Sequence, residues 1–453
     1  MTRLKCIALF CLATLFALDV LGLRAAHSQT LTWDGDPGTV GIQEATADWL
    51  SANVWFDGTN VSWTNGADAI VGTGGAGRII RDSTPATLTL SSLTFDPAIG
   101  GGNTYHIDTN RGDRPLTFVN AAEIIVPTGV TGRIDPAPAG SATISIQGGG
   151  TINWFERNVI AAQPFTGGIA ILDGTLSTQA KTNYVGQFGT LTFLDTSGSA
   201  DATLLLGGNP ASSWTVDNDI VVQSGSTGNA LIQYSKSTGG ASTGEFTGNI
   251  TLGSDLTFRR TGTQTSQGLV LSGDIDGPAG LRLEPGGFPN DHFAVLSGNN
   301  TYEGTTTVIG TNASAMSLTV NGSQANSNFV LDDITMNGSG TLTFNVVDDT
   351  SDMFTLLDNA MLDLSGFTLA PLVSGTQTIE EFPITNRLTG VSGEFAAIAP
   401  QENFQFEVFY NGTAANPNAV VLQATQLAVP EPASLVAMLL AAVFAGLFWQ
   451  FKR

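Results

Sequence analysis

QGLVLSGDIDGPAGLRLEPGGFPNDHFAVLSGNNTYEGTTTVI, residues 267 to 309, decides how the chain folds, because it repeats within itself. Leu271-Ser272-Gly273 returns 25 residues later as Leu296-Ser297-Gly298. Between the copies lie an Asp-Gly-Pro turn, a short apolar strand at Leu281 to Leu283, a Gly-Gly corner and a second strand at Phe293 to Leu296. Strand, corner, strand, corner at that period predicts one coil of a solenoid, in which each turn of chain stacks on the last.

Tyr302-Glu303-Gly304 in that stretch has two further relatives with the same pattern of aromatic, any residue, glycine and then a strand, Phe165-Thr166-Gly167 and Phe246-Thr247-Gly248. In a stacked coil the aromatic fills the interior, glycine makes the corner at positive φ, and the alternating β-branched residues that follow form the next rung. The pair LSGDIDGPAG and LSGNNTYEGTTTV resembles the autotransporter-associated β-strand repeat of bacterial surface proteins, with good agreement over residues 246 to 322. That resemblance implies a right-handed parallel β-helix. The expected organisation is a Trp-rich N-terminal cap over 29–68, repeats over 69–351, and a C-terminal β cap over 352–427.

Composition agrees with many short strands and tight corners: 54 glycines among 453 residues and only 12% charged residues are unlike a helical or ordinary α/β protein. No segment carries a long amphipathic helix. Strand-length runs recur near ten-residue intervals from Ala69 to Val126. Residues 127 to 141, with Pro127, Pro136 and Pro138, read as a break or long loop. Later, Val320-Asn321-Gly322-Ser323 and Met336-Asn337-Gly338-Ser339 repeat after 16 residues, as though the coils shorten.

The ends are different objects. Arg3 and Lys5 precede an apolar run from Cys6 to Leu23, and Ala26-His27-Ser28 frames a cleavage site between Ser28 and Gln29, so residues 1–28 read as a secretory signal peptide. Both cysteines lie inside it, which excludes disulfides, thiolate metal sites and cysteine nucleophiles from the exported chain and leaves His106 and His292 for imidazole chemistry. Its removal takes three basic residues and one acidic one and moves the net charge from −22 to −24. Such a balance disfavours nucleic acid and anionic membrane surfaces as partners.

At the other end Val429-Pro430-Glu431-Pro432 precedes an apolar stretch, Ala433 to Phe451, and Lys452-Arg453 closes the chain. A helix over that stretch is about 28 Å long, close to the roughly 30 Å hydrocarbon core of a bilayer, and the basic pair would stay in the cytoplasm. Motif, span and basic end together resemble the PEP-CTERM sorting signal. The resemblance implies an exosortase-type membrane protease as partner, acting at Pro430-Glu431-Pro432, and a location at the cell surface or in the extracellular matrix.

Candidate ligand chemistry is sparse. Trp33, Trp49, Trp55 and Trp63 offer either a sugar-stacking platform or an aromatic plug for the open end of the solenoid. Asp332-Asp333 and Asp348-Asp349 are the carboxylate pairs to weigh for a polysaccharide lyase or hydrolase, but turn formation accounts for them. Arg111-Gly112-Asp113 invites an integrin-binding reading, but Gly-Asp corners are abundant here and three residues arise easily by chance; Asn290-Asp291-His292 lacks any partner spacing for a metal site or triad, and no nucleotide, hydrolase or zinc-protease motif occurs. The sequence therefore predicts an all-β, exported structural or adhesive protein, neither an enzyme nor dependent on a cofactor, with extracellular polysaccharide or neighbouring surface proteins as ligands.

Overall fold

The computed structural model describes residues 29–43, 45–75, 77–80, 88–99, 104–108, 115–154, 165–179, 189–207, 213–236, 242–262, 267–284, 292–310, 316–332, 334–427 and 440. Nearly every described element is a β-strand; a single 3₁₀ turn, Pro97–Ile99, interrupts them. The chain divides into two units, residues up to 210 with 216–236, and 211–215 with 237 onward.

The first unit is a parallel β-solenoid in which successive strands alternate between two sheets. Leu88–Phe95, Leu116–Ile125, Ile144–Gln147 and Ile169–Ile171 stack in order in one sheet. Arg78–Ile80, Thr104–Asp108, Thr131–Ile134 and Thr151–Trp154 stack in the other. Because side chains alternate across a strand, register turns single positions into rows. One inward row runs Ile79, Ile107, Ile134, Trp154, Thr178, Leu206, Tyr234, and all of these are buried.

The proline-containing stretch 127–141 is part of the ladder, not the break its composition predicts. Thr131–Ile134 pairs on both sides, and Pro138–Ala139 pairs with Leu116 and Thr117. Proline is tolerated there because it supplies only carbonyls: the Trp154 indole N–H donates to the Pro136 carbonyl at 2.8 Å.

The second unit repeats the principle with the 25-residue period read from the sequence. Ser242–Phe246, Gln267–Leu271 and His292–Leu296 are consecutive parallel strands, with Phe246 opposite Leu271 and Leu271 opposite Leu296. Phe246 therefore belongs to the Leu-Ser-Gly corner. Tyr302 belongs to another, since Gly304 packs on Ala279 and Gly280 and leads into Thr306–Ile309. The three aromatics are all buried as expected, but these two are not at equivalent corners. Tyr302 closes on the Thr306 hydroxyl, and burial pushes its phenol up to about 12.

The corner glycines also differ from expectation in cause. Gly167, Gly248 and Gly304 are not among the residues with positive φ. What requires glycine is close approach: a Cβ on Gly273 would fall within 3.0 Å of the Gly248 carbonyl oxygen, one on Gly298 equally close to that of Gly273, and one on Gly322 to that of Gly298. Beside this column Asn249, Asp274 and Asn299 form a second one: the Asp274 N–H donates to Asn249 Oδ1 at 3.2 Å and the Asn299 N–H to Asp274 Oδ1 at 2.8 Å. The later tetrapeptides pair at 18 residues, not 16, with Val320 opposite Gly338 and Thr319 opposite Asn337.

Each unit has an edge that is closed by the chain itself. At the start, Trp55–Phe56 pairs antiparallel with Thr30–Trp33 and with Asn60–Val61, covering an edge that a solenoid would otherwise expose. At the finish, parallel pairing continues beyond residue 352 through Phe354–Leu357, Thr368–Ser374 and Ala397–Ile398. The antiparallel sheet of Glu381–Pro383, Val421–Gln426 and Phe404–Phe409 follows. Two side-chain amides complete the closure by imitating the next strand. Asn386 accepts from the Leu356 N–H at 2.8 Å and donates to the Leu356 carbonyl at 3.1 Å. Gln401 does the same for Val373 at 2.8 and 2.9 Å.

Two predictions follow from this architecture. Gly298→Ala, whose added methyl meets backbone that cannot rotate away, lowers unfolding free energy by about 3 kcal/mol, as overpacking does; thermal unfolding by circular dichroism against the parent measures it. Asn386→Leu strips both bonds from Leu356 and costs roughly 2 kcal/mol. It also bares a strand edge, so light scattering should show oligomers that the parent does not form.

Candidate functional site

Among the described residues, the densest grouping of ionisable side chains is built by the second sheet of the first unit. Register places Arg78, His106 and Arg133 in one outward row over three rungs. Two residues on from His106 and Arg133 come Asp108 and Asp135, whose side chains are fully buried. Arg78 donates through Nη2 to Asp108. Arg133 grips Asp135 with both Nε, at 2.8 Å, and Nη2, at 3.4 Å. His106 Nε2 lies 3.0 Å from Asp135 Oδ2 and 3.8 Å from Asp108 Oδ1, at an angle poor for a hydrogen bond, so this contact counts as an ion pair when the ring is protonated.

Charge decides what this grouping can do. Burial alone would raise the Asp135 carboxyl, but the close contact with His106, the hydrogen bonds from Arg133 and the positive charge of both outweigh it and hold the group below its ordinary value of 3.8. His106, Asp108 and Asp135 offer ligand atoms within 4.8 Å of one another, a spacing compatible with a cation. Yet two guanidinium groups already occupy the two carboxylates, and a divalent ion would have to displace them or sit beside them. A sugar cannot reach these two carboxylates, whose side chains have no exposed surface. The arrangement is an ion-pair ladder that ties three rungs together.

The second unit carries a smaller grouping, Arg259, Arg282 and Glu284, on the outward face of Leu256–Gly262 and Leu281–Glu284. Arg259 stands opposite Glu284, and Arg282 lies two residues before it on the same strand. Their Nε atoms donate to separate oxygens of the one carboxylate, at 2.6 and 2.5 Å. Burial would raise Glu284, but those two bonds and charges hold it below its ordinary value of 4.5.

The four early tryptophans gather at the first edge of the ladder. Trp33, Trp49 and Trp55 are completely buried and Trp63 is half-buried. Their rings meet at 4.7 to 5.2 Å with interplanar angles of 52 to 75°, edge-on or tilted. They form no exposed coplanar strip on which sugars could stack; they plug the end. The chain matches no protein-family model, no curated protein and no solved structure.

The other sequence-derived candidates separate. Gln29 is described, and its side chain donates to Asp57 at 2.8 Å. Ser28, the motif Val429, Pro430, Glu431 and Pro432, and the tail Lys452 and Arg453 lie outside the described residues, as do Arg111-Gly112-Asp113, Asp333, Asn290 and Asp291. Of the apolar stretch 433–451 only Leu440 is described. No helix among the described residues is long and apolar enough to cross a membrane. Asp348 and Asp349 are turn residues: Asp348 has φ 44° and accepts from the Thr376 N–H at 2.9 Å, and Asp349 accepts from Thr378 N–H at 2.6 Å.

Sequence reading missed Arg78, Asp108, Arg133 and Asp135. A signal existed: a basic residue two before an aspartate occurs at His106-Ile107-Asp108 and again one coil later at Arg133-Ile134-Asp135. The ladder predicts an acid transition. A carboxyl whose folded pKa is depressed gives stability that is fully present above its unfolded value and lost as pH falls through the folded one. As pH falls from neutral to below the ordinary value of 3.8 the melting temperature should drop, and Asp135→Asn should flatten that drop while lowering the neutral-pH plateau; pH-resolved calorimetry of both proteins reads the difference.

Proposed function

We propose that the chain is an exported structural or adhesive β-solenoid of the cell surface or extracellular matrix, without enzymatic activity. In this reading a signal peptide over 1–28 directs export, the apolar segment 433–451 holds the protein in the membrane, and an exosortase-type protease acts at Pro430-Glu431-Pro432 to release or transfer the body. The observation that carries it is the self-termination of the ladder. Buried tryptophans and an antiparallel hairpin cover an edge of the first unit, while side-chain amides and an antiparallel sheet cover an edge of the second. A cysteine-free body held by ladder bonds and stacked side chains suits an exposed scaffold that cannot rely on disulfides. Its ionisable clusters are engaged in ion pairs, which suits support and not proton transfer.

Mass spectrometry of the protein recovered from intact cell surfaces tests the sorting. Under this proposal surface-derived protein begins at Gln29 and yields no peptide from Ala433 onward, and Glu431→Ala protein stays in the membrane fraction. Recovery of peptides beyond Ala433 in the surface form, or of residues 1–28 still attached, overturns it.

A further inference from the structure

The two charged groupings differ in stoichiometry, and that difference points to a ligand. In the first unit two arginines meet two buried aspartates, and the guanidinium charges are matched. In the second unit two arginines share one glutamate. Both engage it through Nε, so among the described residues the terminal nitrogens of each guanidinium are left to the solvent side. The arginine side chains are 42% and 43% exposed and the glutamate 17%, so the carboxylate lies beneath a pair of outward cationic edges.

The order of side chains makes this pair a preorganised fork. Arg259 and Arg282 come from adjacent rungs, and each is steered by a different oxygen of the same carboxylate. Glu284 thereby fixes two long side chains whose freedom would otherwise have to be lost on binding. The fork retains one net positive charge, on a chain with 17 basic and 39 acidic residues. Planar guanidinium edges match the paired oxygens of carboxylates, sulfates and phosphates, with hydrogen bonds strengthened by charge. Beside Arg282 the outward row continues with Thr257 on one rung and Thr307 on the other, short hydroxyl side chains that leave the approach open.

We propose that Arg259 and Arg282, oriented by Glu284, form a binding site for an oxyanion borne on an acidic extracellular polysaccharide, a uronate carboxylate or a sulfate ester. The polymer source rests on the surface location proposed above, whereas the oxyanion chemistry rests on the fork. The general negative charge of the chain would repel a polyanion at low ionic strength. At about 0.15 M salt, where the screening length is roughly 8 Å, that repulsion is damped while direct contact persists.

The test is binding of the purified full chain, in detergent, to polygalacturonate, dextran sulfate and neutral dextran at that salt, with free inorganic sulfate and phosphate as separate arms. Polygalacturonate or dextran sulfate should bind and neutral dextran should not. Arg259→Gln and Arg282→Gln, both at outward positions, should keep the parental melting temperature and each weaken polyanion binding at least tenfold. Arg259→Lys and Arg282→Lys keep the charge without the planar fork and should weaken it severalfold. Unchanged polyanion binding in all four variants overturns the site. Should the Gln variants unfold, the Lys variants decide alone. Free sulfate or phosphate binding as tightly as the polymers, and lost in the same variants, overturns the polysaccharide source. None of these outcomes depends on where the tail is cut, which surface mass spectrometry reads independently.

Discussion

Close contact between the corner of one coil and the carbonyl of the coil before it governs the second unit. At Gly273, Gly298 and Gly322 there is no room for a Cβ above the preceding peptide oxygen. Each coil must therefore return to nearly the same place before starting its next strand, and this is what holds Phe246, Leu271, Leu296 and Val320 in one column. Everything else is a consequence of that register. Apolar residues superpose on apolar residues inside, asparagine and aspartate cap one another at the turn, and outward side chains meet their counterparts a rung away. A substitution that disturbed one corner would misalign several rows at once, because a stack of coils transmits displacement only to its neighbours and has no alternative packing.

A parallel ladder solves its interior well and its ends badly. Backbone groups in the first and last strands have no next rung, and leaving them buried and unpaired would cost about 1–3 kcal/mol apiece. The two ends use different chemistry for the same deficit. The early edge is covered by an antiparallel strand, with four indole rings filling the volume beneath it. The late edge is met residue by residue, where Asn386 and Gln401 each present an amide in place of a peptide group. A side-chain amide presents an N–H donor and a carbonyl acceptor side by side as a peptide group does, so it can satisfy a strand residue without extending the strand ladder.

How much of this was legible in the sequence depends on whether a feature changes the face of a strand. The Leu-Ser-Gly period was readable because it repeats identity as well as pattern, and the burial of Phe165, Phe246 and Tyr302 followed from aromatic placement beside glycine. The equivalence assumed between Phe246 and Tyr302 was not readable, since two different corners of a coil use the same aromatic-x-Gly solution. The pairing of Val320 with Gly338 instead of Met336 was hidden for a related reason: a slip of two residues leaves every side chain on its own face, so the hydrophobic pattern cannot distinguish the two registers. Prolines at 127, 136 and 138 suggested a break because proline lacks a donor, whereas here its carbonyls and neighbouring residues carry the pairing. That misreading also hid the ion-pair ladder, which requires residues 131–135 to be a rung directly above 104–108.

The ladder and the fork show how the same residue types diverge by stoichiometry and depth. Burying Asp108 and Asp135 makes each carboxylate demand a partner, because an isolated buried charge is far more costly than one paired and hydrogen-bonded. Arg78 meets that demand from the neighbouring rung and Arg133 from two residues earlier on its own strand, and the cluster is thereby directed inward. Glu284 is less deeply placed and has two arginines for one carboxylate, so the demand is met with guanidinium groups to spare and the remainder is directed outward. Because register alone decides which outward side chains meet, such groupings are built with no change in the inward rows that hold the coil. A solenoid can thus alter the chemistry of its surface one rung at a time while its core is left as it was.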